Sequence, residues 1–360
     1  MKPCFKRLPK VLFERTFDFH GLVGLRVQTD DSFVADYFHA EYEPAAGPIS
    51  AELPLVMLHW TESSLPRRPD VDYRLKIHKG LARWYYRIRF EPQAIRIEAA
   101  GNRTAVPMVH HMLVHGCLRY LCSGQNALLL HAAALVQGDR SLVFTGPGGV
   151  GKTTVSSIVL DQGGSNWELH ADDYVFLTSS GNTYSYPSRA HMYSDLLERV
   201  PAASSQLSAR QRAHLTLFGL VRQISGERIK WPLRVEPGVL WPNYETAPHA
   251  RLQALLLLEP SEAQEVKLEP IGDLEHLVDR LMQVNFEEAR HTIELIGGFE
   301  APIDYLEQWK SLESKTLRRA LQDKPAYHLL LPRTASLDRS KFVSELQQMV
   351  TVEDDSRVAN

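Results

Sequence analysis

Residues 146–153 read Gly-Pro-Gly-Gly-Val-Gly-Lys-Thr and fill every position of G-x-x-x-x-G-K-[ST]. An apolar run, Ser141-Leu142-Val143-Phe144-Thr145, precedes them, and a helix-compatible run, residues 153–162, follows. Strand, glycine-rich loop and helix in that order constrain the chain strongly. Glycines let the loop wrap with its N–H groups pointing inward at phosphate oxygens, and the helix N-terminus adds unpaired donors and the positive end of its dipole. The pattern assigns Lys152 to the β- and γ-phosphates and the Thr153 hydroxyl to Mg²⁺. Gly146, Gly148, Gly149, Val150, Gly151 and Thr154 complete the expected ATP cradle.

An acidic element follows the loop. Asp172 and Asp173 stand at the edge of an apolar strand in Leu-His-Ala-Asp-Asp-Tyr-Val, residues 169–175. Mg²⁺ prefers carboxylate and water oxygens, so one aspartate suits the metal, while the other suits a general base taking the proton of an attacking hydroxyl. Alone, such a pair reads more readily as a solvated turn, and the preceding loop reverses that preference. His131 interrupts an apolar run, residues 127–136, just upstream of the loop strand. It is either a satisfied core residue or an imidazole carried beside the γ-phosphate.

Around these elements strands and helices alternate. Strand-like runs fall at 167–170, 173–177, 254–258, 266–269 and 327–331, with helical runs at 273–284 and 301–321. That alternation predicts an α/β core. Residues 1–105 read instead as a β-rich N-terminal domain. The stretch 73–99 alternates polar and apolar residues and breaks at Lys79-Gly80 and Glu91-Pro92, the pattern of a meander. Pro107 opens a helical segment ending near Gly124, so residues 106–125 are expected to connect this domain to residues 126–348, with a flexible tail at 349–360.

Composition narrows the function classes. The 360 residues are 44% hydrophobic and carry a formal net charge of −3 with both signs interspersed, which gives no expectation of nucleic-acid or membrane binding. The first residues lack the apolar core of a signal peptide, and no run approaches the ~20 apolar residues that span a bilayer. Three cysteines show neither metal-ligand spacing nor a disulfide framework, so a soluble, cytoplasmic protein is expected; assembly into a homo-oligomer stays open.

Weaker signals carry two readings each. Arg189 is either an in-cis arginine that offsets charge on the transferring phosphoryl group or a surface residue. The basic run at 228–234 either grips the acceptor or forms a charged loop. His111 and His115 have i,i+4 metal spacing but no third ligand. The aromatics at 84–86 suit cross-strand packing better than base stacking.

Taken together, His131, the loop and the Ala171-Asp172-Asp173-Tyr174-Val175 segment resemble the catalytic domain of HPr kinase/phosphorylase, which shares its fold with ATP-dependent phosphoenolpyruvate carboxykinases. The likeness covers residues 128–177 well and runs loosely to about 260. It implies a phosphotransferase in which His131 and the aspartates surround the transferred group, one aspartate activating an acceptor hydroxyl and one binding Mg²⁺. The chain departs from the family where an acidic residue usually follows the loop, here Thr154, and where a later glycine-rich signature is expected. A divergent kinase relative is therefore implied, with serine in a peptide, a protein or a small molecule as candidate acceptor. A carboxykinase-type enzyme and a nucleotide-gated binding module are the rival readings.

Overall fold

A computed structural model describes residues 12–61, 73–78, 80–162, 166–192, 207–226, 233–241, 246–262, 265–297, 299, 301–302, 304–332 and 339–351. Cys4, the basic residues 228–232 and most of the tail lie outside them. The protein is a mixed α/β molecule built on two large sheets, with a further two-stranded ribbon. By internal contacts it divides into residues 1–128 with 286–313, and residues 129–285 with 314–360.

The first unit holds a six-stranded sheet made of β1 (Phe13–Phe19), β2 (Val23–Thr29), β3 (Leu55–Thr61), β4 (Arg74–His78), β5 (Ala82–Glu91) and β6 (Ala94–Gly101), ordered β1-β2-β3-β6-β5-β4. The expected meander is β4-β5-β6, antiparallel throughout. The all-strand reading of the first hundred residues is corrected at Ser32–Tyr42, which is a helix and lets β2 and β3 run parallel. Asp31 caps it by accepting the Phe33 N–H, and Val34, Ala35, Phe38 and Tyr42 are buried at helical spacing.

Phe17, Leu25, Val56, Ile95 and Ile97 point from successive strands into one core, while the opposite face of the sheet stays polar. The segment opened by Pro107 is helical, as expected, with α-helix at Val106–Val109 and His115–Ser123 and a wider π turn at His110–Val114. Arg119, fully buried, donates from Nε and Nη2 to Glu313 at 2.7 and 2.5 Å, and Trp309 Nε1 donates to the same carboxylate at 2.7 Å. These bonds neutralise a charge that burial would otherwise make very costly. Cys117 and Cys122 are buried and unbridged, and burial pushes both thiols up, which disfavours the reactive thiolate.

The second sheet begins with β7 (Ala127–Gln137) and β8 (Arg140–Thr145), a tight hairpin turning at Gly138 with φ +65°. It continues with β9 (Glu168–Ala171), β10 (Tyr174–Thr178) and β11 (Asn182–Ser185). After the ribbon formed by β12 (Ala190–Met192) and β13 (Leu233–Val235) come β14 (His249–Ser261), β15 (Lys267–Pro270) and β16 (Ala326–Pro332). The order is β11-β10-β7-β8-β14-β16-β15, with β9 on β7. Strand β11 also pairs with the start of β14, so the sheet curls back on itself.

Strands β8, β14 and β16 are parallel, and the helix Lys152–Gln162 packs over them. Phe144, Ile158, Val159, Leu256, Leu258 and Leu329 form the core there, closed by Phe342 and Leu346 of the helix Arg339–Thr351. Nearly every residue of β7 and the middle of β14 is buried, as expected of strands with both faces covered. The loop after β8 therefore starts from a strand whose last five residues are buried.

Candidate active site

Residues 146–151 link β8 to the helix Lys152–Gln162. Gly146, Gly149 and Gly151 have φ of +151°, +81° and +113°, the conformations that wrap backbone N–H groups around one centre. At Gly146 the requirement is twofold, since a Cβ would lie 2.8 Å from the Leu258 carbonyl oxygen. The Val155 N–H bonds the Gly151 carbonyl at 2.9 Å, so the helix grows directly out of the loop.

Lys152 is buried and donates from Nζ to the carbonyl of Gly146 at 3.0 Å and to that of Pro147 at 3.5 Å. Its ammonium thus sits within the curl of the loop, held by backbone oxygens that a phosphate oxygen could replace. Thr153 and Thr154 follow in the first helical turn, and the Thr153 carbonyl accepts from Ser157 Oγ at 2.7 Å.

Asp172 and Asp173 form the bend between β9 and β10. Asp172 is buried, and its carboxyl lies close enough to Thr153 and Lys152 to feel both. Burial first, and the neighbouring Asp173 charge second, push Asp172 up to about 7, against the opposing pull of the Thr153 hydroxyl and the Lys152 ammonium. Its Oδ1 is buried with no hydrogen-bond partner. A buried carboxylate oxygen without a partner, beside a hydroxyl and a lysine, fits a hard divalent cation that would complete its coordination with phosphate oxygens and water.

Asp173 is 29% exposed, and its Oδ1 lies 3.9 Å from His131 Nε2. Backbone bonds fix this approach: the Ala132 N–H donates to the Asp173 carbonyl at 3.0 Å, and Ala134 pairs with Ala171. His131 is held on both sides. Its N–H donates to Asn285 Oδ1 at 2.9 Å, its carbonyl accepts from Thr145 Oγ1 at 3.0 Å, and Tyr174 packs edge-on to its ring at 5.1 Å between centroids. Asn285, on the helix Leu274–Glu288, also donates from Nδ2 to the Leu129 carbonyl at 3.4 Å.

Lys152, Thr153 and Asp172 are therefore neighbours, and His131 and Asp173 are neighbours one residue further along the same bend. Arg189 follows β11, with Nη2 3.2 Å from Glu236 Oε1. The acceptor-gripping run at 228–234 is described only at Leu233 and Arg234 in β13. His111 and His115 stack at 6.2 Å between ring centroids, and no group of three His, Cys, Asp or Glu able to hold a metal occurs among the described residues. No described helix is long and apolar enough to cross a membrane.

No family model matches the chain, and no curated protein matches it. Among solved structures it is similar to the Hpr(Ser) kinase/phosphatase from Coxiella burnetii at 9% identity and a TM-score of 0.27, over 64% of this chain and 99% of that one. Likeness that loose identifies neither family nor chemistry; the side chains around Lys152 and Asp172 carry the functional reading.

Proposed function

We propose that the unit containing the loop is an ATP- and Mg²⁺-dependent phosphotransferase of the HPr-kinase-like kind, acting on a hydroxyl acceptor such as serine in a peptide, a protein or a small molecule. The observation that carries this reading is Asp172: its Oδ1 is buried and unpartnered beside Thr153 and Lys152, next to an aspartate that remains open to solvent. Bound Mg·ATP supplies the γ-phosphoryl group and the cation that neutralises its charge.

The roles then divide by environment. The loop N–H groups and Lys152, released from the Gly146 carbonyl, hold the phosphate oxygens. Thr153 and Asp172 take the metal. Asp173, the exposed member, accepts the proton of the acceptor hydroxyl as that oxygen bonds to the γ-phosphorus and the bond from phosphorus to the bridging oxygen breaks, with ADP leaving. His131 orients Asp173 and, when protonated, offsets charge near the transferred group. Catalysis rests on positioning and electrostatics.

The test is transfer from γ-labelled ATP with Mg²⁺ to serine-containing peptides and to small-molecule hydroxyl acceptors. Label should move to an acceptor with the native chain and stay on ATP with Lys152→Ala or Asp173→Asn. Transfer that persists in a chain carrying both changes would refute the assignment.

A further inference from the structure

The polar face of the first unit's sheet carries a row of residues that the nucleotide site does not use. Register places Arg26 of β2 beside Met57 of β3, Met57 beside Arg96 of β6, and Arg96 beside Arg89 of β5. Residues paired in register project to the same face, so this row sets three arginines and one methionine across four adjacent strands. The next row holds Gln28, His59, Glu98 and Arg87. Arg26, Gln28, Met57, His59 and Arg96 line a notch of about 170 Å³.

Like charges directly opposite across strands destabilise a sheet, and Arg89 faces Arg96 without an acid in their row. Of the acids on this face, Glu98 accepts from the Tyr73 hydroxyl and Glu14 from Gln28, while Glu91 accepts from Arg96 Nε at 3.2 Å, so Arg96 is already paired through that one nitrogen. Arg26 Nε is buried, with no hydrogen-bond partner. A guanidinium donor withdrawn from water and left unpaired needs an acceptor, and two guanidinium groups flanking an apolar methionine match the forked geometry of an oxyanion.

We propose that this notch binds an oxyanion of charge two, a phosphate ester or a pair of carboxylates, between Arg26 and Arg96 over Met57, with Arg89 reinforcing the field. The site stands independently of the nucleotide reading, because none of its residues belongs to the loop or the aspartate bend.

The experiment uses the full chain carrying Lys152→Ala, which weakens phosphate binding at the loop, and titrates inorganic phosphate and, separately, succinate by calorimetry at low and at raised salt. At least one anion should bind at a single site that weakens as salt rises. Arg26→Gln and Arg89→Gln should each weaken it about tenfold or more, since each removes a charged donor. Arg290→Gln, on a helix and paired with Glu294, should leave binding unchanged. Phosphate binding alone identifies a phosphoryl ligand, and succinate binding alone identifies a carboxylate ligand. Arg89 is exposed, so its variant is expected to stay folded, and a native circular dichroism spectrum checks this. Binding that survives the double Arg26→Gln, Arg89→Gln change would overturn the proposal, as would neither anion binding at millimolar concentration.

Discussion

Asp173 Oδ1 lies 3.9 Å from His131 Nε2, while the Asp172 carboxyl beside it turns inward toward Thr153 and Lys152. One bend between two strands thus presents two carboxyl groups to opposite environments. The inner one is buried and raised in pKa, and the outer one meets solvent and an imidazole. The functional reading depends on that division.

Replacing Lys152 with alanine removes a side-chain ammonium held inside the loop by the Gly146 carbonyl. Affinity for Mg·ATP should fall by about a hundredfold or more, because a charge-assisted contact to phosphate is lost in a buried site. Calorimetric titration of the native and altered chains measures this. Equal affinities would place the nucleotide elsewhere.

Asp172 gives the apoprotein a specific pH response. Its folded pKa, about 7, is above the 3.8 of an unperturbed aspartate, so between those values the folded state binds more protons than the unfolded state. Stability is therefore greatest below pH 4 as far as this group is concerned, and its contribution is lost as pH rises toward 7. Asp172→Asn should accordingly stabilise the apoprotein by about 2–4 kcal/mol at pH 8 and by much less at pH 4. Mg²⁺ competes with the same proton, so its affinity in the native chain should rise about tenfold per pH unit up to pH 7 and then level off. Denaturant melts and Mg²⁺ titrations at stepped pH check both signs.

Asp173→Asn and His131→Ala should separate turnover from binding. The proposed mechanism gives both residues to the acceptor and not to the phosphate cradle, so the Kd for Mg·ATP should change little, while kcat falls by about 10²–10⁴ for the aspartate and less for the histidine. A matching loss of nucleotide affinity would make them part of the cradle instead.

Asn285 holds the strand that carries His131. Asn285→Ala leaves the His131 N–H and the Leu129 carbonyl without their side-chain partner in a buried setting, which should cost about 1–3 kcal/mol in a denaturant melt. It should also lower kcat more than it raises KM, because His131 and Asp173 lose their common frame.

Much of this was readable along the chain, for local reasons. The loop residues 146–153 announce their backbone because only glycine tolerates the φ values found at 146, 149 and 151. Alternation at 87–90 and 95–98 gives the faces of β5 and β6 correctly because one side of that sheet is wet. The helix Ser32–Tyr42 had a signal too, in the Asp31 cap and the spacing of Val34, Phe38 and Tyr42, and the strand-rich surroundings mask it. Asn285 was not legible. Its contact with His131 exists only once the helix Leu274–Glu288 docks on β7, and nothing in the intervening residues encodes that pairing. Arg189 carries two readings in the sequence, and what the fold adds is its partner, Glu236.

The most direct test of the central claim is single-turnover transfer from γ-labelled ATP and Mg²⁺ to hydroxyl acceptors, with the native chain and Asp173→Asn run side by side. The account predicts labelled acceptor and stoichiometric ADP for the native chain, and bound but unreacted ATP for the variant. Tight Mg·ATP binding by both chains with no label leaving ATP, whatever hydroxyl acceptor is supplied, would contradict it and leave a nucleotide-binding module in its place.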